Sequence, residues 1–292
     1  MRFSDYEMLE FAISYSHAIP YETDFLMKDI HGLMNDRELA GRRVLITAAS
    51  SGIGFAIASV LAEKGAAVFM TSGSSKIEKA SEKLLKKGLR VYPLVYDMTS
   101  DEPVSVVEKA SKSMGGIDTL VVNYGDPTLA PFMELGDEDW DRYIRMFIKA
   151  TIGLVRESVK IMGTGGRVVF ITSMTTREAY QGFAISGSLR AAVVNLGKIL
   201  SLELGPRGIT VNSVSQGYFL TERLSAVIER NARLNGTSID EEKKNIISTI
   251  PAGRFGEPAE IGHLVSFLCS PEASYITGAN IPIDGGLTRY PY

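Results

Sequence analysis

From residue 42 onward, short apolar runs alternate with longer amphipathic stretches. RVLIT (43–47), AVFMT (67–71), VYPLVY (91–96), TLVVN (119–123), RVVFIT (167–172) and ITVNSV (209–214) are rich in β-branched residues, and ANIPID (279–284) reads as a last strand. These runs show little polar–apolar alternation, the mark of parallel strands buried on both faces. Helical periodicity follows them at 52–65, 76–85, around 102–114, 137–163 and 182–204. Repeated strand–helix–strand units with right-handed crossovers predict an α/β fold: a single Rossmann-type, doubly wound parallel sheet flanked by helices over 42–292.

Residues 1–41 carry a different pattern, read as an N-terminal helical arm. Ser4 and Glu7 form a capping box before MLEFAISY, with Pro20 beyond that helix. A second segment aligns Leu26, Ile30 and Leu33 on one face, weakened by Gly32. Two apolar stripes need cover, from this domain or from a second subunit.

Composition narrows the partners. The 292 residues are 45% hydrophobic and 22% charged with a net charge of −3, which gives nucleic acid no electrostatic footing. The most basic run, EKLLKKGLR (82–90), reads as a solvated helix face. Cys269 stands alone, so no internal disulfide is expected, and SFLCS makes it a small buried hydrophobe. His17, His31 and His263 lack metal-ligand spacing, so no metal is expected. No apolar run approaches membrane-spanning length, and MRFSDYE lacks the apolar core of a signal peptide, which leads to the cytoplasm as the expected compartment.

The chemistry begins at TAASSGIG (47–54), between the first strand and the first helix. Small residues let backbone approach a pyrophosphate, and a helix N-terminus offers free N–H groups and partial positive charge. Gly52 and Gly54 alone are a weak signal, but at the start of a βαβ unit they are a strong one.

With this turn the sequence resembles the short-chain dehydrogenase/reductase family, whose turn reads TGxxxGxG. Further matches are VNYG (122–125), Asp97 at the end of the third strand, WDRYIR (140–145), GITVNSV (208–214), PAGRFGEPAEI (251–261) and ITGANIPIDGG (276–286). The resemblance runs from about residue 40 to 288. It implies a nicotinamide dinucleotide held by Thr47, Ser50, Ser51, Gly52, Ile53 and Gly54, by Ser72 and Ser74, and by Asp97 with Met98. It also implies Asn123, Gly125, Arg190, and the loop residues Gly217, Phe219 and Thr221. The segment 218–250 corresponds to the family's variable substrate region.

Which dinucleotide binds turns on TSGSSK (71–76). An acid for the ribose diol of NAD is replaced by Ser72, and the arginine that often marks NADP is Gly73. Serine hydroxyls and Lys76 suit a 2′-phosphate and nothing acidic repels it, so NADP is favoured over NAD. Ala48 replaces the first turn glycine and crowds the turn if its φ is positive.

The resemblance implies an Asn–Ser–Tyr–Lys tetrad, and here the sequence departs from it. Ser173 matches the serine; the tyrosine position is Ser186, the lysine position Arg190, and the asparagine position Phe147. The proline expected before Gly217 is Gln216. A serine hydroxyl is a far weaker acid than a phenol, and an arginine stays charged and passes no proton. Tyr124 and Tyr218 stand in loops beside the expected nicotinamide pocket and Tyr180 lies on the approach to Ser186; each is a candidate relocated acid, or an ordinary half-buried aromatic.

Two functions remain open from sequence. One is an NAD(P)(H)-dependent oxidoreductase of a ketone or secondary alcohol, with a 3-oxoacyl or sugar-like small-molecule substrate. The other is a catalytically silent nucleotide binder with a sensing or structural role. A redox-neutral reaction in the same pocket has no positive feature. The resemblance also implies self-association as a dimer or tetramer.

Overall fold

The computed structural model describes residues 38–290; the arm expected over 1–41 lies almost wholly outside them. The compact unit that carries the sheet begins at Leu39, whose side chain is buried and whose N–H donates to Lys64 O at 2.9 Å.

Seven parallel strands form one sheet in the order β3-β2-β1-β4-β5-β6-β7. They are β1 (Arg43–Ile46), β2 (Ala67–Ser72), β3 (Val91–Val95), β4 (Thr119–Val122), β5 (Arg167–Ser173), β6 (Thr210–Gln216) and β7 (Asn280–Ile283). Every expected strand is present. Pro93 sits in β3, an edge strand, where the absence of a backbone donor is tolerated.

Two apolar layers account for the runs without alternation. Leu45, Leu120, Val168 and Phe170 face one layer, while Val44, Ile46, Val121, Val169 and Ile171 face the other. Helices α1 (Gly52–Glu63), α2 (Lys76–Leu85) and α9 (Pro258–Cys269) close the second layer through Ile57, Leu61, Ile77, Leu84, Ile261 and Val265. Helices α3 (Pro103–Met114), α5 (Ala150–Ile161) and α6 (Ala184–Leu204) close the first through Val106, Leu154 and Val193. Each fully buried aliphatic side chain contributes about 1.5–3 kcal/mol, which sets the sheet as a rigid platform.

The long helix expected over 137–163 is not one regular helix. It is α4 (Asp137–Ile144), a π-helical turn at Arg145–Lys149, then α5. The inserted turn carries Met146 and Phe147, both buried. After β6 come α7 (Glu222–Asn235) and α8 (Ile239–Ser248), divided at Gly236, whose φ is +67°. No helix among the described residues is long and apolar enough to cross a membrane.

The strand order reverses between β1 and β4, which lie side by side with successors running in opposite directions. The C-terminal ends of strands at such a switch leave a crevice between diverging helices.

Candidate active site

The crevice is a cleft of about 570 Å³ built from loops at the C-terminal ends of β1 to β6. At one end lie Ala48, Ser50 to Gly54, Ser72, Asp97 and Met98; Asn123, Gly125 and Gly217 line its middle. Ser173, Ser186, Arg190, Tyr124 and Tyr218 also line it, and Phe219 and Thr221 come from the loop after β6.

Two expected cofactor residues lie off the cleft. Thr47 is fully buried; its Oγ1 donates to Asn123 O at 2.6 Å and accepts from Asn123 N at 3.0 Å. It therefore laces β1 to β4 and has no donor left for a ligand. Ser74 is exposed beyond β2, and its N–H donates to Ser72 Oγ at 3.4 Å.

The turn after β1 is tightly specified. Ala48 adopts φ +49°, the only positive value at a non-glycine among the described residues, so the methyl group sits in the left-handed region at a cost of about 1–2 kcal/mol. Its carbonyl accepts from Asn123 Nδ2 at 3.0 Å. A Cβ at Gly54 would lie 2.2 Å from Ala48 O and 2.6 Å from Asn123 Nδ2, so only glycine lets helix, turn and β4 meet. Thr221 packs over the turn: a Cβ at Gly52 would sit 3.5 Å from its Cγ2.

These residues fit a dinucleotide. Helix α1 opens onto the cleft with no side-chain cap at Ser51 and no acid in its first turn, which leaves N–H groups and the positive end of the helix dipole for a pyrophosphate. The loop after β6 is fixed by Leu220 N to Gly256 O at 2.8 Å and Gly256 N to Tyr218 O at 2.9 Å.

At the opposite end, β5 delivers Ser173 and α6 delivers Ser186 and Arg190. Ser173 Oγ accepts from Thr175 N at 3.3 Å, and Thr175 Oγ1 lies 3.5 Å from Ser186 Oγ. Thr175, which sequence reasoning passed over, thus joins the two serines; the hydroxyl-rich run TSMTT after β5 was its only signal.

Arg190 is buried. Its Nη1 donates to Ile171 O at 2.9 Å, and its Nε is buried with no acceptor among the described residues. Its Cζ lies 4.9 Å from the Phe147 ring centroid and 5.4 Å from that of Tyr124, and the two rings are 4.6 Å apart. Burial, helped slightly by Arg223, pulls its pKa down to about 10 against raising contributions from Tyr124 and Asp126. The cation therefore persists at neutral pH. Phe147 is fully buried behind the cleft rather than on it, where it supports Arg190.

The three tyrosines part company here. Tyr124 Oη shares a hydrogen bond with Thr151 Oγ1 at 2.9 Å, and burial raises its pKa. Tyr180 lies off the cleft and donates to Glu178 Oε2 at 2.8 Å. Tyr218 lines the cleft and its hydroxyl makes no hydrogen bond among the described residues; burial raises its pKa.

The substrate end also holds Asp126, Leu129, Arg142, Tyr143, Met146, Phe183 and Arg223. Arg223 pairs with Asp126 at 2.8 Å.

Comparison with known proteins agrees with this architecture. A family model described as Enoyl-(Acyl carrier protein) reductase matches residues 47–288. The oxidoreductase UcpA of Escherichia coli K12 is 33% identical over 255 residues, 86% of this chain and 96% of that protein. A 3-oxoacyl-[acyl-carrier-protein] reductase, FabG of Vibrio cholerae, is 33% identical over 252 residues, 85% of this chain and 98% of its own. Among solved structures, L-sorbose reductase from Gluconobacter frateurii, complexed with NADPH and L-sorbose, superposes with a TM-score of 0.81 at 30% identity. That match covers 87% of this chain and 99% of the other. The chain belongs to the short-chain dehydrogenase/reductase family, a family of oxidoreductases.

Proposed function

We propose that this protein is an NAD(P)(H)-dependent oxidoreductase that interconverts a ketone and a secondary alcohol, with NADP favoured over NAD. The observation that carries the reading is the continuity of one cleft from the uncapped N-terminus of α1 to Ser173, Ser186 and Arg190. A relative that reduces 3-oxoacyl groups and a structural neighbour that holds NADPH and L-sorbose support a 3-oxoacyl or sugar-like substrate.

A dinucleotide held by the turn after β1 and the loop after β6 would supply or accept the hydride. Ser173 and Ser186 offer hydroxyl donors to the substrate oxygen, but neither is acidic enough to replace a phenol. Of the three candidate acids, we assign the proton to Tyr218, which lines the cleft and whose hydroxyl makes no hydrogen bond to the described residues. Self-association as a dimer or tetramer is supported by Leu202 and Ile199, 71% and 49% exposed on α6.

The test is melting of the full chain with NADP+, NAD+ or neither, followed by turnover across a panel of ketones and alcohols. A nucleotide at about 100 times its Kd stabilises the fold by about 2.7 kcal/mol. No shift with either nucleotide refutes the reading. A shift without turnover favours the second reading, a silent nucleotide binder, for which the engagement of Tyr124 with Thr151 is the supporting observation.

A further inference from the structure

The position expected to hold a lysine amine holds a buried guanidinium with no carboxylate of its own. Arg190 is 5% exposed and takes part in no ion pair among the described residues. Nη1 is taken by Ile171 O, Nε is buried without an acceptor, and Nη2 has no protein acceptor among the described residues. The rings of Tyr124 and Phe147 attract the cation but do not neutralise it. Asp126, the nearby carboxylate that acts on it, is committed to Arg223.

A cation withdrawn from water costs several kcal/mol unless an anion or a full set of acceptors meets it. Ribose hydroxyls can accept hydrogen bonds but bring no countercharge. A carboxylate removes that cost through charge-assisted hydrogen bonds, about twice as strong as neutral ones. A second cation, Arg142, lines the exposed rim of the same cleft and also makes no ion pair among the described residues; its guanidinium lies 5.6 Å from the Tyr143 ring.

We infer that the inner end of the cleft is an anion subsite, in which Arg190 seats the carboxylate of an oxo acid or hydroxy acid and Arg142 draws that anion to the rim. Calling this acid the substrate rests on the oxidoreductase reading; the carboxylate seat itself does not.

The experiment is melting of the full chain with pyruvate, with acetoacetate and with the neutral ketone butanone, each with and without NADP+. At about ten times Kd, a seated carboxylate raises Tm by about 2–3 °C, and butanone gives less than a third of that. Arg190→Gln is expected to abolish the carboxylate shift while retaining the NADP+ shift. Arg190→Met, which removes a buried charge without opening a large cavity, is the second variant should the first not fold.

Equal shifts with butanone, no carboxylate shift in either nucleotide state, or a carboxylate shift retained in Arg190→Met would overturn the proposal. So would loss of the NADP+ shift alone, which would return Arg190 to the ribose. Failure of NADP+ to shift the wild type refutes the oxidoreductase reading instead, and the nucleotide-free carboxylate arm still decides the seat.

Discussion

The guanidinium of Arg190 and the ring of Phe147 are stacking partners, with Cζ 4.9 Å from the ring centroid at a fully buried ring. Two departures from the family pattern are therefore one physical unit. A double-mutant cycle between Phe147→Leu and Arg190→Met, followed by urea unfolding, should give a coupling of about 1–2 kcal/mol, as for a desolvated cation–π contact. Additive losses would mean that the two residues are neighbours only.

The positive φ of Ala48 predicts that glycine is tolerated where the family has it. Ala48→Gly relieves about 1–2 kcal/mol of left-handed strain and gives back about 0.5–1 kcal/mol in backbone entropy. The expected result is unchanged or slightly raised stability and tighter NADP+ binding, read by urea midpoint and by titration. A clear loss of stability would place the strain elsewhere.

Gly54 has no such latitude. The methyl group of Gly54→Ala would arrive 2.2 Å from Ala48 O and 2.6 Å from Asn123 Nδ2, forcing turn and β4 apart. Loss of about 1–3 kcal/mol is expected, together with loss of the NADP+ shift. An unaltered Tm with nucleotide binding intact would contradict the close packing.

For the proton, the two candidate acids that line the cleft, Tyr218 and Tyr124, should behave differently. Tyr218→Phe is expected to lower turnover about 100-fold or more, the usual worth of a positioned acid. Tyr124→Phe should keep turnover within a few-fold and lose about 1 kcal/mol with its bond to Thr151. The reverse ranking would move the acid to the loop after β4.

Acid sensitivity has a local source in Glu260, at the start of α9. Hydrogen bonds from Arg254, then the Glu257 N–H, hold its pKa down to about 2, with contacts of 2.7 Å from Arg254 Nη2 and 2.7 Å from Glu257 N. A depressed folded-state pKa contributes stability that is full above the ordinary carboxylate range, about pH 4.5, and is lost as pH falls toward 2. Glu260→Gln should therefore narrow the difference in urea midpoint between pH 7 and pH 3. The pair is half-exposed, so high salt should shrink the effect.

The strands were legible because parallel burial leaves apolar runs bounded by turns, while their order in the sheet came only from the structure. The long helix near 137–163 was legible but its internal π turn was not, because periodicity measures face, not hydrogen-bond register. A π turn adds one residue without changing which types are apolar. The positive φ of Ala48 could be anticipated from a glycine position filled by alanine. Thr47 was assigned to the ligand because a small polar residue at a turn looks alike whether its hydroxyl faces a phosphate or the next strand. The aromatic support of Arg190 was missed by comparing positions one at a time. Its signal was that an asparagine position had become phenylalanine while a lysine position had become arginine.

Ser186 is buried against Thr175 on the helix that also positions Arg190, and this bears on how such a site changes over generations. Restoring a tyrosine at 186 alone would place a phenol beside an arginine that passes no proton, and restoring lysine at 190 alone would leave a serine as its partner while exchanging a planar group against two rings for a flexible amine. Neither single reversal is a step toward the ordinary relay. The pocket's present chemistry is held in place by its packing, and it can be left only by moving several residues together.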